Sequence, residues 1–220
     1  MLEVLYEDNH LIAVWKPAKM LVQGDQTGDI CLMDEVKAYL KEKYQKSGNV
    51  FLGLLHRLDR PVAGIVLFAK TSKGAARLSE QIRTHKVKKT YHALVSGQLA
   101  SNATLINYIK KEEVVNRVEV FDEPHVDALY AELDYTVEMG NKNVSLVKIN
   151  LKTGRPHQIR AQFAHIGHPL VGDVKYGSQI PYREGEIALA ATELCFETAT
   201  TREIISLKKN FDFSQRFENQ

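Results

Sequence analysis

The chain has 220 residues and a hydrophobic content of 44%, enough to bury one large core or two small ones without disulfide or metal staples. Charged residues make up 25% and the net charge is only +2, which excludes a disordered polyelectrolyte and leaves the global charge balance silent about partners. No apolar run is long enough for a membrane span, Met1 to Val4 lacks the features of a signal peptide, and Cys31 and Cys195, without metal-type spacing, fit free thiols in a reducing cytosol.

Val4 to Tyr6 and Leu11 to Trp15 read as two strands joined by a turn at Glu7-Asp8-Asn9-His10, and Lys16-Pro17 ends the second. Gly24 to Asp29 is a polar loop. Leu32, Val36, Tyr39 or Leu40, and Tyr44 recur at helical spacing until Ser47-Gly48-Asn49 stops them. Ile65 to Ala69 predicts a buried strand. Ser72 is placed to cap a helix whose inner face is Ala75, Leu78 and Ile82. Thr90 to Val95 alternates as a strand. From Leu105 to Leu151 the pattern is a run of strands without a long helix, broken near Asp122-Glu123-Pro124 and Gly140-Asn141. Pro156 suits the first turn of a helix that carries Ile159, Phe163 and Ile166 on its core face and ends at Gly167. Leu189 to Phe196 and Glu203 to Leu207 read as closing strands. No repeat or linker interrupts the pattern. It predicts an α+β fold, a single domain over residues 1–220 on a largely antiparallel, mixed sheet with a few flanking helices.

Charge is segregated along the chain. Lys70, Lys73, Arg77, Arg83, Lys86, Lys88 and Lys89 stand against Glu80 alone. Glu112, Glu113, Glu119, Asp122, Glu123, Asp127, Glu132, Asp134 and Glu138 stand against Arg117 alone. Such asymmetry fits one face toward a nucleic acid and one turned away, or simply two solvated surfaces.

The most informative segment is His56-Arg57-Leu58-Asp59-Arg60-Pro61, followed by Gly64 and an apolar run ending in Ala69-Lys70-Thr71. A carboxylate between two arginines, on a short turn between apolar strands, is a reactive group presented by a rigid scaffold and held ionised by nearby positive charge. Taken alone, the tetrapeptide also fits a surface ion pair or turn cap. It does not fit a kinase catalytic loop, since the Gly-rich loop, the downstream Asn and Asp-Phe-Gly are all missing. Three further segments stand out: Lys88-Lys89-Thr90-Tyr91-His92-Ala93, Thr153-Gly154-Arg155-Pro156-His157-Gln158-Ile159-Arg160 running on through His168-Pro169 and Gly172-Asp173 to Tyr176-Gly177, and Ile187-Ala188-Leu189-Ala190-Ala191. By propensity Tyr91 is an ordinary strand aromatic. On a helix, His157 and Arg160 fall about 160° and 100° from Ile159, away from the core face. His157, His165 and His168 lack a recognised zinc spacing and read as groups that cap and pack the helix end.

Together these segments closely resemble the signature of the RluA-like family of RNA pseudouridine synthases, over nearly the whole chain from Val4 to Leu207. Leu11 to Met20 resembles the opening of the catalytic domain, so the resemblance implies a lone catalytic domain without the small N-terminal RNA-binding domain of several members. It implies isomerisation of specific uridines in ribosomal or transfer RNA. The base leaves nitrogen 1, rotates while bound and rejoins the ribose through carbon 5, with no redox change and no external energy, hence no cofactor; no metal is expected, from the histidine spacing above. Asp59 is implied as the catalytic carboxylate, whether it attacks the ribose, adds to the base or abstracts a proton. Arg160 is implied as its partner, Tyr91 as the ring against the uracil, Leu189 as a wall of the uracil pocket, and Arg57 as the side chain that fills the place of a flipped base. Arg83, Lys86, Lys88 and Lys89 are candidates for phosphate contacts. The expected partner is RNA, with no membrane and no obligate protein partner, and the expected location is the cytoplasm. Trp15, Ala63 and Ala190 depart from the residues commoner in the family, and none removes a catalytic group. Two alternatives stay open: a catalytically silent RNA-binding relative, and a glycoside hydrolase, which would need a second positioned carboxylate where no second acid is read from the matching segments.

Overall fold

A computed structural model describes residues 2–99, 102–112 and 115–213; Met1 and Glu113, which enter the readings above, lie outside them. The α+β class holds, with strands that pair antiparallel and three α-helices among the described residues. The chain clusters into two compact units, Met1–Val87 with Glu193–Lys209 and Lys88–Thr192 with Asn210–Gln220.

In the first unit, β1 (Glu3–Glu7) pairs with β2 (Leu11–Lys16), and β2 with β4 (Ala63–Ala69) in the register Leu11↔Ala69 to Lys16↔Gly64. The turn before β2 is closed by Asp8, whose Oδ1 accepts the N–H groups of His10 and Leu11 at 2.7 and 2.6 Å. The short β3 (Gly53–Leu54) pairs with the far end of β4. Every residue of β4 is buried, as an unalternating apolar run demands. Helix α1 (Leu32–Lys43) buries Leu32, Val36 and Leu40. Tyr44 lies one residue beyond α1 and is exposed.

Helix α2 (Ser72–Arg83) is capped by Thr71 rather than Ser72: the Thr71 hydroxyl accepts the Gly74 N–H at 3.1 Å. Both residues are good caps by chemistry. The helix packs so close to His10 that a Cβ on Gly74 would come within 2.5 Å of the His10 carbonyl oxygen. Leu78 is fully buried, with Ala75 and Ile82 packed beside it against Leu11, Leu67, Leu194 and Phe196. The last two come from β10 (Leu189–Glu197), whose C-terminal half forms a hairpin with β11 (Ile204–Lys208).

In the second unit the strands run in the order β5 (Lys88–Ser96), β9 (Val144–Leu151), β8 (Leu129–Gly140), β6 (Asn102–Glu112) and β7 (Arg117–Phe121). The breaks after β7 and after β8 fall at the turn residues Asp122 to Pro124 and Gly140-Asn141, and the separation of β6 from β7 is an addition to the sequence reading. Helix α3 (Gln158–His165) begins later than its proline suggests. Pro156 precedes His157, which takes a left-handed conformation (φ 51°) as the N-cap. The expected split of faces fails as well. Gln158, Ile159, Arg160, Ala161, Gln162 and Phe163 are all buried, and Ile166 lies just past the helix, only half-buried.

A polar network makes this burial tolerable. Gln158 accepts from the Thr153 hydroxyl and the Arg155 N–H, and donates to the Glu132 carbonyl and to Gln162. Gln162 donates in turn to Asn107 Oδ1 at 2.8 Å and to the Leu105 carbonyl. A helix can bury amides when each finds its partner.

Candidate active site

Asp59 occupies the turn that leads into β4. His56 Nε2 accepts the Leu67 N–H at 3.1 Å, fastening the preceding segment alongside β4. The Asp59 carbonyl accepts the Val62 N–H at 3.0 Å and closes the turn. Buried Leu58 and Val62 pin it on both sides, so Asp59 is held half-buried on a fixed backbone while Arg57 and Arg60 are exposed. Arg60 is turned elsewhere, with Nε on the Lys19 carbonyl at 3.0 Å and Nη2 on Asp29 at 2.6 Å.

Lys16 is the important neighbour of this turn, and no role was read for it from sequence. It ends β2 with no exposed surface. Its ammonium donates to the carbonyls of Pro17 (3.0 Å), Met20 (2.7 Å) and Arg60 (3.3 Å), tying the Asp59 turn to the loop after β2. Burial pushes this ammonium down to about 7; the charge of Asp59 opposes that shift and Arg60 adds to it. A lysine closing a fully apolar strand was the available signal.

In the second unit, Tyr91 is buried on β5 and lies in one cross-strand row with Ile149 and Tyr135. Phe163 of α3 packs on Tyr135, ring centroids 5.3 Å apart. Helix α3, with Arg160, therefore covers the same sheet face that carries Tyr91. Leu189 is buried at the start of β10. The preceding Ala188 accepts the Leu94 N–H and donates to the Val171 carbonyl, while Val171 donates to the Leu94 carbonyl. The segments carrying Tyr91, Leu189 and Gly172-Asp173 are thus laced together.

Arg160 is buried against Asp173, with Nε–Oδ2 at 2.7 Å and Nη2–Oδ1 at 2.9 Å. Asp173 is a second acid within the matching segments, contrary to the reading that none was there. It is no free acid for a hydrolase, because both oxygens are bound to one guanidinium. Gly172 before it has φ 85°, and a Cβ there would sit 2.5 Å from Cβ of Tyr182. Only glycine fits that turn.

The basic candidates differ in what they offer. Lys86 and Lys88 are exposed. Arg83 is exposed but bound to Glu80 at 2.7 Å. Lys89 is half-buried against Gly154, and burial lowers its pKa. The three histidines disperse: His157 Nδ1 bonds the Tyr176 hydroxyl (2.9 Å), His165 bonds Asp122 (2.9 Å), and His168 Nδ1 bonds the Ser96 carbonyl (2.7 Å). Among the described residues no group of three acidic, His or Cys side chains is placed to hold a metal, and no helix is long and apolar enough to cross a membrane. The acidic stretch is less one-sided than its sequence. Lys110 faces Asp127, Lys152 pairs with Asp134, and His165 with Asp122.

A family model described as RNA pseudouridylate synthase matches residues 10–165. The chain belongs to the RNA pseudouridylate synthase family. It is 33% identical to the tRNA pseudouridine synthase C of Vibrio cholerae, over 96% of this chain and 92% of that protein. It is 31% identical to the protein of that name from Pectobacterium carotovorum, over 96% of this chain but 60% of the longer relative. It is 36% identical to the ribosomal large subunit pseudouridine synthase D of Blochmanniella floridana, over 80% of this chain and 54% of that one. The fold is shared with the solved structure of human RNA pseudouridylate synthase domain containing 4, at a TM-score of 0.79 and 20% identity, covering 96% of this chain and 89% of that one. The pseudouridylate synthase match takes in Asp59, Tyr91 and Arg160; Asp173 and Leu189 lie beyond it.

Proposed function

We propose that this pseudouridylate synthase isomerises specific uridines of transfer or ribosomal RNA to pseudouridine, with Asp59 as the carboxylate at the sugar. The observation that carries the reading is the pinned turn of Asp59, tied through the Arg60 carbonyl to a fully buried Lys16. Glycosidic cleavage develops positive charge at the sugar, and a fixed, ionised carboxylate is the group that stabilises it. Arg160 is assigned as the cation that keeps this carboxylate ionised. Tyr91 and Leu189 confine the uracil while it turns, and the Tyr91 hydroxyl helps strip the carbon 5 proton. Arg57, exposed two residues before Asp59, fills the place of the flipped base. Lys86, Lys88, Lys89 and Arg83 hold phosphates. The reaction is redox-neutral and calls for no cofactor.

Relatives named for transfer RNA and for the large ribosomal subunit make both RNA classes candidates, with the cytoplasm as the proposed place of action. The test is pseudouridine mapping of total RNA from cells with the gene, without it, and with Asp59→Asn in its place. The expected result is one or more uridines modified only by the wild type. Modification that persists with Asp59→Asn would remove Asp59 from the reaction.

A further inference from the structure

We propose that Asp173 is the positioning residue of Arg160, and that the loop from Val171 to Tyr176 exists to hold that guanidinium in one orientation. This rests on the reading above, in which Arg160 serves the reacting carboxylate. Asp173 is 1% exposed and Arg160 5% exposed, and they meet through two parallel hydrogen bonds of 2.7 and 2.9 Å. A bidentate pair fixes the plane of a guanidinium as well as its position.

The carboxylate is itself immobilised by its backbone. The Asp173 N–H donates to the Leu170 carbonyl at 3.0 Å, and its carbonyl accepts the N–H groups of Tyr176 and Ser178 at 3.0 and 3.1 Å. Gly172 lets the chain turn into this position where any side chain would collide with Tyr182 and the Glu186 carbonyl. Tyr176 supplies a second wall, its ring centroid 5.1 Å from the Arg160 guanidinium carbon. Its hydroxyl accepts the Val118 N–H at 3.1 Å and bonds His157. Arg117 also lies 5.1 Å from that ring. Val171 anchors the loop to Leu94, on the strand that carries Tyr91. Orientation of Arg160 is thus set from the same strand that positions the tyrosine.

Arg160 is on this account a cation partly neutralised by Asp173. Loss of the Asp173 charge should misplace Arg160 without touching RNA. The experiment uses Asp173→Asn in the full chain with the mapped RNA. The expected result is a fall in kcat of about a hundredfold with KM changed less than about twofold. The Arg160 Nε–H resonance, slow to exchange with solvent in the wild type, should become fast-exchanging. A kcat within threefold of wild type, or an unaltered Nε–H, would overturn the proposal.

If Asp173→Asn fails to fold, Arg160→Met/Asp173→Asn is compared with Arg160→Met, since a residue acting only through Arg160 has nothing left to do once that side chain is gone. Equal rates support the assignment, and a further fall in the double variant overturns it. If the wild type forms no pseudouridine in any RNA, the functional reading fails, and the Nε–H signal still decides whether Asp173 orients Arg160.

Discussion

At the scale of single residues, Lys16 makes the sharpest prediction. Its buried ammonium titrates near 7 against an ordinary 10.5. Between those values the unfolded chain binds the extra proton, so wild-type stability rises with pH across that window and loses this contribution as pH falls through about 7. Lys16→Met should abolish that rise. It should also cost about 1–3 kcal/mol for each carbonyl left without its donor. Urea midpoints for both proteins from pH 6 to 11 give the measurement, and parallel curves would show that folding does not shift the Lys16 pKa. Arg57→Ala should slow modification of a paired uridine more than of the same uridine in an open loop, because only the first must be unpaired. Equal losses on the two RNAs would reduce Arg57 to a packing or phosphate contact. Asp59, Tyr91, Arg160 and Leu189 could be singled out from sequence because each sits in a long, specific motif. Lys16 and Asp173 lie in matching segments too, but nothing local in the sequence marks their roles. What marks them is a tertiary partner, the Arg60 carbonyl for one and the Arg160 guanidinium for the other, and neither partner is near in sequence.

At the scale of elements, most strands outside the Leu105 to Leu151 run were legible to within one or two residues, since apolar runs and turn residues bound them, while β3 and the separation of β6 from β7 were not. Helices were less so. The cap of α2 shifted by one residue between two chemically equivalent hydroxyls, Thr71 and Ser72. Helix α3 misled more deeply, because burial on several faces erases the amphipathic period on which a face assignment depends. Gln162 is the residue that resolves the difficulty, by donating to Asn107 and the Leu105 carbonyl on β6. Gln162→Leu should lower stability by about 1–3 kcal/mol per orphaned group. An unchanged melting temperature would show that the network is dispensable. Helix α1 is docked differently, through Glu7 at the end of β1. Burial alone would raise this carboxyl, but hydrogen bonds from Lys43, Lys70 and Tyr44 override it and hold it at about 2. Its contribution is complete above about 4.5 and disappears as pH falls through about 2. Glu7→Gln should flatten the acid side of the stability curve in that window, and an unaltered acid limb would place the attachment of α1 elsewhere.

At the scale of the molecule, net charge says little and distribution says more. A protein of charge +2 has to grip RNA with local cations, and the structure sorts those cations by availability. Lys86 and Lys88 are exposed. Arg83 shares its charge with Glu80, and Lys89 is half-buried with a pKa depressed by burial. Phosphate binding releases condensed counterions, so each true contact contributes about 0.7–0.9 to the log–log dependence of affinity on salt. Lys86→Ala and Lys88→Ala should each reduce that slope by about one contact, and the double variant by about two. Lys89→Ala should reduce the slope by less than Lys86→Ala or Lys88→Ala, because its half-buried ammonium reaches phosphates less freely. Arg83→Ala should fall between, since releasing Glu80 adds local repulsion as well as removing a cation. Filter binding or fluorescence anisotropy on the mapped RNA, from low to physiological salt, gives all five slopes. If Lys89 alone carries the salt dependence, its half-buried ammonium must open toward the RNA on binding, and the ranking by exposure is wrong. If none of the five variants changes the slope, the RNA backbone lies on another surface, and the segregation of charge along the sequence reflects solvation alone.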